Sequence, residues 1–179
     1  MKKLLLPLLF FFASEGFAQK VKRIETVSNH SVYIKGNIFE GTIFSESYIP
    51  PRYNYADTIK RFTPSAADIT QVEKLVLKDV ILKGRGKIND PFICANLKKY
   101  LRQYAGFTIS GGKKIVYVNL FWKAAILHEE KEHKTFSQIP GPEWKKEWMF
   151  YFDGGNRYWR IKINLSSMEL FDFEENGTA

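Results

Sequence analysis

Between residues 144 and 165 the chain alternates with a period of two. Trp148, Phe150 and Phe152 interleave with Met149 and Tyr151, and Trp159, Ile161, Ile163 and Leu165 interleave with Arg160, Lys162 and Asn164. A period of two marks strands with one buried face. Asp153-Gly154-Gly155-Asn156 separates the two runs, and Gly and Asn tolerate the positive φ of a hairpin turn. The segment therefore predicts a hairpin with an aromatic face that something must cover.

Upstream, residues 20–27 and 32–43 read as extended, with Gly36 and Gly41 as bends or bulges. Residues 44–62 are irregular, and Pro50-Pro51 forbids helix there. The period then changes. Ile69, Val72, Leu75, Val76 and Val80 recur at helical spacing after Thr63-Pro64-Ser65, with Ser65 and Asp68 three apart as in a capping box. A second helix is predicted from Asp90-Pro91, with Ile93, Leu97, Tyr100, Leu101 and Tyr104 as its stripe and Gly106 as its stop. Residues 107–110, Gly111-Gly112 and 113–122 read as strand, turn and strand. Residues 128–143 are charged and close on Pro140-Gly141-Pro142 as a loop, and a last strand covers 168–173.

Strands joined by tight turns form an antiparallel meander. The predicted fold class is α+β, with two helices packed on a bent meander sheet. Residues 19–62 supply N-terminal strands and a Tyr/Pro-rich loop, and residues 63–179 the α+β part of the same globular domain. The 16% aromatic content agrees with a thick, sheet-built core.

The first eighteen residues read as a signal peptide rather than as part of this fold. Lys2 and Lys3 precede an apolar run over 4–13, too short to span a bilayer as a helix, and Gly16-Phe17-Ala18 places small residues before a cut after Ala18. The alternatives are an uncleaved anchor or a buried N-terminal helix. An exported chain, periplasmic or secreted, is the expectation. Cleavage would remove two lysines and one glutamate, so the formal charge of +8 would fall by only one. Cys94 is the only cysteine, so no internal disulfide can form, and a small buried hydrophobe is its expected role. No later stretch suits a transmembrane helix.

Motifs for chemistry are sparse. No G-x-S-x-G elbow, phosphate-cradling loop or C-x-x-C pair occurs. His128-Glu129-Glu130-Lys131-Glu132-His133 approximates H-E-x-x-H, but its histidines are five apart, about 140° from each other on a helix. They stand as candidate metal ligands, with a solvated loop or short helix as the alternative. Asp153, Glu169 and Asp172 sit where nothing would separate two carboxyl pKa values for glycoside hydrolysis. Lys83, Arg85, Lys87, Lys98, Lys99 and Arg102 form a basic cluster against Asp79 and Asp90, read as a solvated face. Tyr48, Arg52, Tyr53 and Tyr55 form the candidate ligand-binding loop, because tyrosine supplies contact area at low entropic cost.

RFTPSAADI (61–69), RQYAGF (102–107), KIVYVN (114–119), DGGNRYW (153–159), KINL (162–165) and the terminal NGTA resemble segments of small, uncharacterised exported proteins frequent in the Bacteroidetes. The resemblance covers the C-terminal two-thirds and implies a cystatin-like or NTF2-like architecture, helices embraced by a meander. It implies no activity. Cystatin-type inhibition needs a Q-x-V-x-G loop, whereas Gln71-Val72-Glu73 falls on a predicted helix without the glycine.

The functional expectation is a non-enzymatic exported domain, with no catalytic residue assigned and no cofactor. It would bind a protein or small ligand in the envelope or outside the cell, through the sheet's concave side or the tyrosine loop. Nucleic acid is not expected as a partner. The alternative is a metal-dependent hydrolase, or another enzyme, using His128, His133 and nearby acids.

Overall fold

The computed structural model describes residues 20–51, 58–82, 85–133 and 143–178. Among these, β1 (Arg23–Thr26), β2 (Ser31–Lys35), β3 (Glu40–Phe44) and β4 (Thr58–Phe62) precede α1 (Ala66–Ile81) and α2 (Pro91–Asn96). β5 (Tyr100–Ile109), β6 (Lys113–Trp122), α3 (Lys123–His133), β7 (Tyr158–Asn164) and β8 (Glu169–Glu175) follow. The eight strands form one open sheet in the order β1-β2-β3-β5-β6-β7-β8, with β4 also on β5. β3 and β5 run parallel, because the chain crosses over through α1 and α2 between them. The other pairs are antiparallel. The α+β class and a large, mostly antiparallel sheet agree with the sequence. None of the described helices is long and apolar enough to cross a membrane.

α1 begins as its residues dictate. Ser65 Oγ accepts from the Asp68 N–H at 3.1 Å, and the Asp68 carboxylate accepts from the Ser65 N–H at 2.8 Å. Ile69, Val72, Val76 and Val80 then face the sheet and are buried. At its far end Asp79 accepts from the Lys87 and Ile88 N–H groups, at 3.1 and 2.7 Å, and ties the following turn to the helix.

The second helix is much shorter than predicted. Asp90 caps it and Pro91 opens it, but it ends at Asn96 and passes through a 3₁₀ turn, Leu97–Lys99, into β5. Tyr100, Leu101 and Tyr104 are strand residues. β5 is central and covered on both sides: Tyr100, Arg102 and Tyr104 point toward α1, while Leu101, Gln103, Ala105 and Phe107 point the other way. A strand buried on both faces loses its alternation, and its apolar positions can then mimic helical spacing. Gly106 does not end a helix. It lies mid-strand, where a Cβ would stand 2.4 Å from the Phe62 carbonyl oxygen of β4.

The predicted hairpin over 144–165 is absent. Only its second half is a strand: β7 pairs β6 on one side and β8 on the other. Residues 146–152 instead cross the sheet's second face as a non-strand strap, with Trp144 and Trp148 buried beneath it. Side chains, not a neighbouring strand, satisfy this backbone. Gln103 Nε2 donates to the carbonyls of Trp144 (2.8 Å) and Glu147 (2.6 Å), its Oε1 accepts from the Met149 N–H (2.8 Å), and Asn119 Nδ2 donates to the Met149 carbonyl (2.8 Å). Gly154 and Gly155 do take positive φ, 99° and 55°, but they lead into a 3₁₀ turn ahead of β7. The charged stretch predicted as a loop is helical up to His133. Ile126 of this helix joins Tyr33, Leu101, Phe121 and Trp144 on the second face.

The molecule is thus layered, with α1 and α2 on one face of the sheet and the strap with α3 on the other. Trp159 and Ile161 serve the first face and Trp148 the second, so the aromatic residues of 144–165 cover two cores rather than one. The face turned toward α1 and α2 is filled by their side chains.

Candidate ligand groove

Of the predicted loop site, Tyr48 alone falls among the described residues; Arg52, Tyr53 and Tyr55 lie outside them. Tyr48 works as a strut. Its ring stacks on His30 (4.9 Å) and packs on Phe44 (4.5 Å). Its hydroxyl accepts from the Trp148 N–H at 2.8 Å and donates to Glu147 at 3.0 Å. Arg61 holds the backbone of the same loop by donating to the carbonyls of Ser45 and Tyr48, and it donates to Gly106 as well.

The histidine pair lies on α3. His128 is exposed there, and the side chain of His133 lies outside the described residues. Among the described residues no group of three His, Cys, Asp or Glu side chains is close enough to hold a metal ion.

The basic cluster also separates. Lys83 lies outside the described residues. Arg102 is no part of the surface: it is fully buried, with Nε 3.1 Å from Glu73 Oε1. The same oxygen accepts from the Tyr104 hydroxyl at 2.8 Å. Burial first, and the Glu73 charge second, push the Tyr104 hydroxyl well above its ordinary pKa, so it stays a donor. The remaining arms of Arg102 donate to the carbonyls of Tyr100 (2.6 Å) and Leu97 (3.2 Å). A buried ion pair thereby anchors the 3₁₀ turn that carries Lys98 and Lys99, both exposed.

That turn forms one side of a groove of about 710 Å³ between the two helices. Leu77, Val80 and Ile81 of α1 form one wall, and Pro91, Cys94 and Ala95 of α2 face them. Ile38 also lines it, and Leu97 lies at the turn. The groove arises because α2 is so short: the chain leaves for β5 after six residues, and no described element is laid over the apolar side chains of the last turns of α1. Ile81 remains 66% exposed and Phe92 39%. Cys94 lines the wall with its thiol donating to the Ile88 carbonyl at 3.4 Å, rather than lying fully buried. Sequence reasoning missed this groove. The available signal was Ile81-Leu82, apolar but outside the α1 stripe.

A smaller pocket of about 160 Å³ adjoins it, lined by residues 35–40 and Lys98, so Lys98 borders both. Glu40, the acid there, is already engaged by Lys123 and by the Tyr33 hydroxyl at 2.9 Å. Burial pushes the Glu40 carboxyl up, but the hydrogen bonds from Lys123 and Tyr33 outweigh it and hold the group below the ordinary carboxylate range. A depressed carboxyl stabilises the fold above its unfolded pKa of about 4.3, and that contribution is lost as pH falls through the lower folded value. Glu40→Gln is therefore expected to unfold less steeply than wild type on acidification below about pH 4. Parallel acid-unfolding curves, followed by circular dichroism, would contradict this.

The chain matches no protein-family model, no curated protein and no solved structure.

Proposed function

We propose that this chain is an exported, non-enzymatic binding domain that takes a small apolar ligand between α1 and α2. The groove is the observation that carries the reading. Its volume of about 710 Å³ falls within the range typical of small-molecule sites, ~300–1,000 Å³. Its walls are mostly apolar with a few polar groups at one rim, the usual division between binding energy and orientation. The groove is preferred to the tyrosine loop because Tyr48 already commits ring and hydroxyl to the fold.

Export rests on the basic, apolar and small-residue sequence of residues 1–18. The finer architecture proposed is cystatin-like or NTF2-like, in keeping with helices laid on an antiparallel meander, and with it a relationship to the small exported proteins of the Bacteroidetes.

The test uses the neutral fluorophore N-phenyl-1-naphthylamine. Wild type is expected to bind it saturably at one site, and Ala95→Trp, which fills the groove from an exposed position, to abolish that binding while keeping the wild-type melting curve. Equal binding by the two proteins would remove the groove as the site.

A further inference from the structure

We propose that the groove's ligand is a single-chain amphiphile with an anionic head, a free long-chain carboxylate whose head is received by Lys98 and Lys99. This rests on the groove being the binding site and adds the class of ligand. The tail follows from the walls. Ile38, Leu77, Val80, Ile81, Leu97 and Ala95 are aliphatic, and no aromatic ring is among the described lining residues. An alkyl chain gains dispersion contacts from close aliphatic packing of this kind.

The head follows from the charges at the rim. Lys98 and Lys99 both lie on the groove, and Lys98 also borders the adjoining pocket. Among the described residues Lys98 makes no salt bridge, and Lys99 Nζ lies 5.6 Å from the Trp122 ring centroid, an arrangement that favours a retained charge. The neighbouring acids are committed elsewhere. Asp79 accepts two backbone N–H groups, Asp90 caps α2, and Glu40 is held by Lys123 and Tyr33. The described lining residues therefore include two cations and no carboxylate, which complements an anion and opposes a cationic head.

Position supports the same assignment. Arg102 fixes the Leu97 carbonyl from below, so the two lysines stand on an anchored turn rather than a drifting loop. A tail lying along Leu77 and Ile81 would end at that turn, beside Asn96, whose side-chain amide already donates to the Phe92 carbonyl at 2.8 Å.

The experiment measures displacement of N-phenyl-1-naphthylamine by decanoate, 1-decanol and decyltrimethylammonium. The proteins are wild type, Lys98→Gln, Lys98→Ala/Lys99→Ala and Ala95→Trp. Wild type should bind decanoate about tenfold more tightly than 1-decanol, the scale of one or two rim charge pairs. The double lysine variant should bring decanoate down to the alcohol and leave the alcohol unchanged, with Lys98→Gln in between. Equal binding of decanoate and 1-decanol by wild type, with both abolished in Ala95→Trp, would overturn the anionic head and leave the groove standing. Failure of all three ligands to displace a probe whose binding Ala95→Trp abolishes would overturn the single-chain amphiphile and leave the groove standing, whereas equal probe binding by wild type and Ala95→Trp would overturn the groove itself. Loss of binding to phosphatidylglycerol vesicles in the double variant, with decanoate affinity intact, would assign the lysines to a membrane surface and overturn the proposal.

Discussion

Arg102→Ala is expected to cost about 3–5 kcal/mol of folding stability, the scale for removing one partner of a buried ion pair. Arg102 is wholly enclosed and Glu73 is 1% exposed, so the abandoned carboxylate would have no route to water. Among the described residues Glu73 Oε2 already has no hydrogen-bond partner, and after the substitution Oε1 would retain the Tyr104 hydroxyl alone. The carbonyls of Tyr100 and Leu97 would lose a donor as well. Breaking the pair costs far more than replacing it whole. Glu73→Leu/Arg102→Met should therefore recover much of the loss, a coupling visible in a double-mutant cycle from urea unfolding. A single substitution within about 0.5 kcal/mol of wild type would show that the pair contributes nothing.

The second large effect is expected at Gln103. Gln103→Leu keeps the volume and deletes four hydrogen bonds, two donated to the carbonyls of Trp144 and Glu147 and two accepted from the Met149 N–H and the Asn119 amide. Each buried polar group left unsatisfied costs ~1–3 kcal/mol, but the strap can lift and solvate part of its backbone, so a total near 3 kcal/mol is expected. Lifting would wet Trp144 and Trp148, so tryptophan emission should shift to the red before global unfolding. Limited proteolysis should cut within residues 143–152 in the variant and spare wild type. Unchanged emission together with unchanged cleavage would mean that aromatic packing alone holds the strap.

These two residues also mark where the sequence could and could not be read. The α1 start was legible because Ser65, Asp68 and Ile69 obey a local rule, and the turn at Gly111-Gly112 was legible for the same reason. β5 was misread because its identity is tertiary. Tyr100, Arg102 and Tyr104 face α1 while Leu101, Gln103 and Phe107 face the strap, so burial on both faces erases the two-residue period that identifies a strand.

The segment over 144–165 failed for the opposite reason. Its alternation is real, but no described strand lies beside its first half, and the amides of Gln103 and Asn119 serve in place of one. Nothing local in KKEWMFYF announces a partner forty residues upstream. The groove was illegible because it depends on where α2 stops. Ile81 and Ala95 become walls only once the chain has left for β5 after Asn96. Arg102 read as surface charge because a buried ion pair needs a partner, Glu73, that only the packing of α1 on β5 supplies.

The most direct test of the account is methyl-resolved nuclear magnetic resonance of the folded chain titrated with decanoate. Saturable shifts should concentrate on the methyl groups of Ile38, Leu77, Val80, Ile81 and Leu97, which line the groove, and should vanish in Ala95→Trp. Shifts centred instead on Ile49 beside the tyrosine loop, or on Val27 and Ile126 of the second face, would contradict it, as would a spectrum that decanoate leaves unchanged.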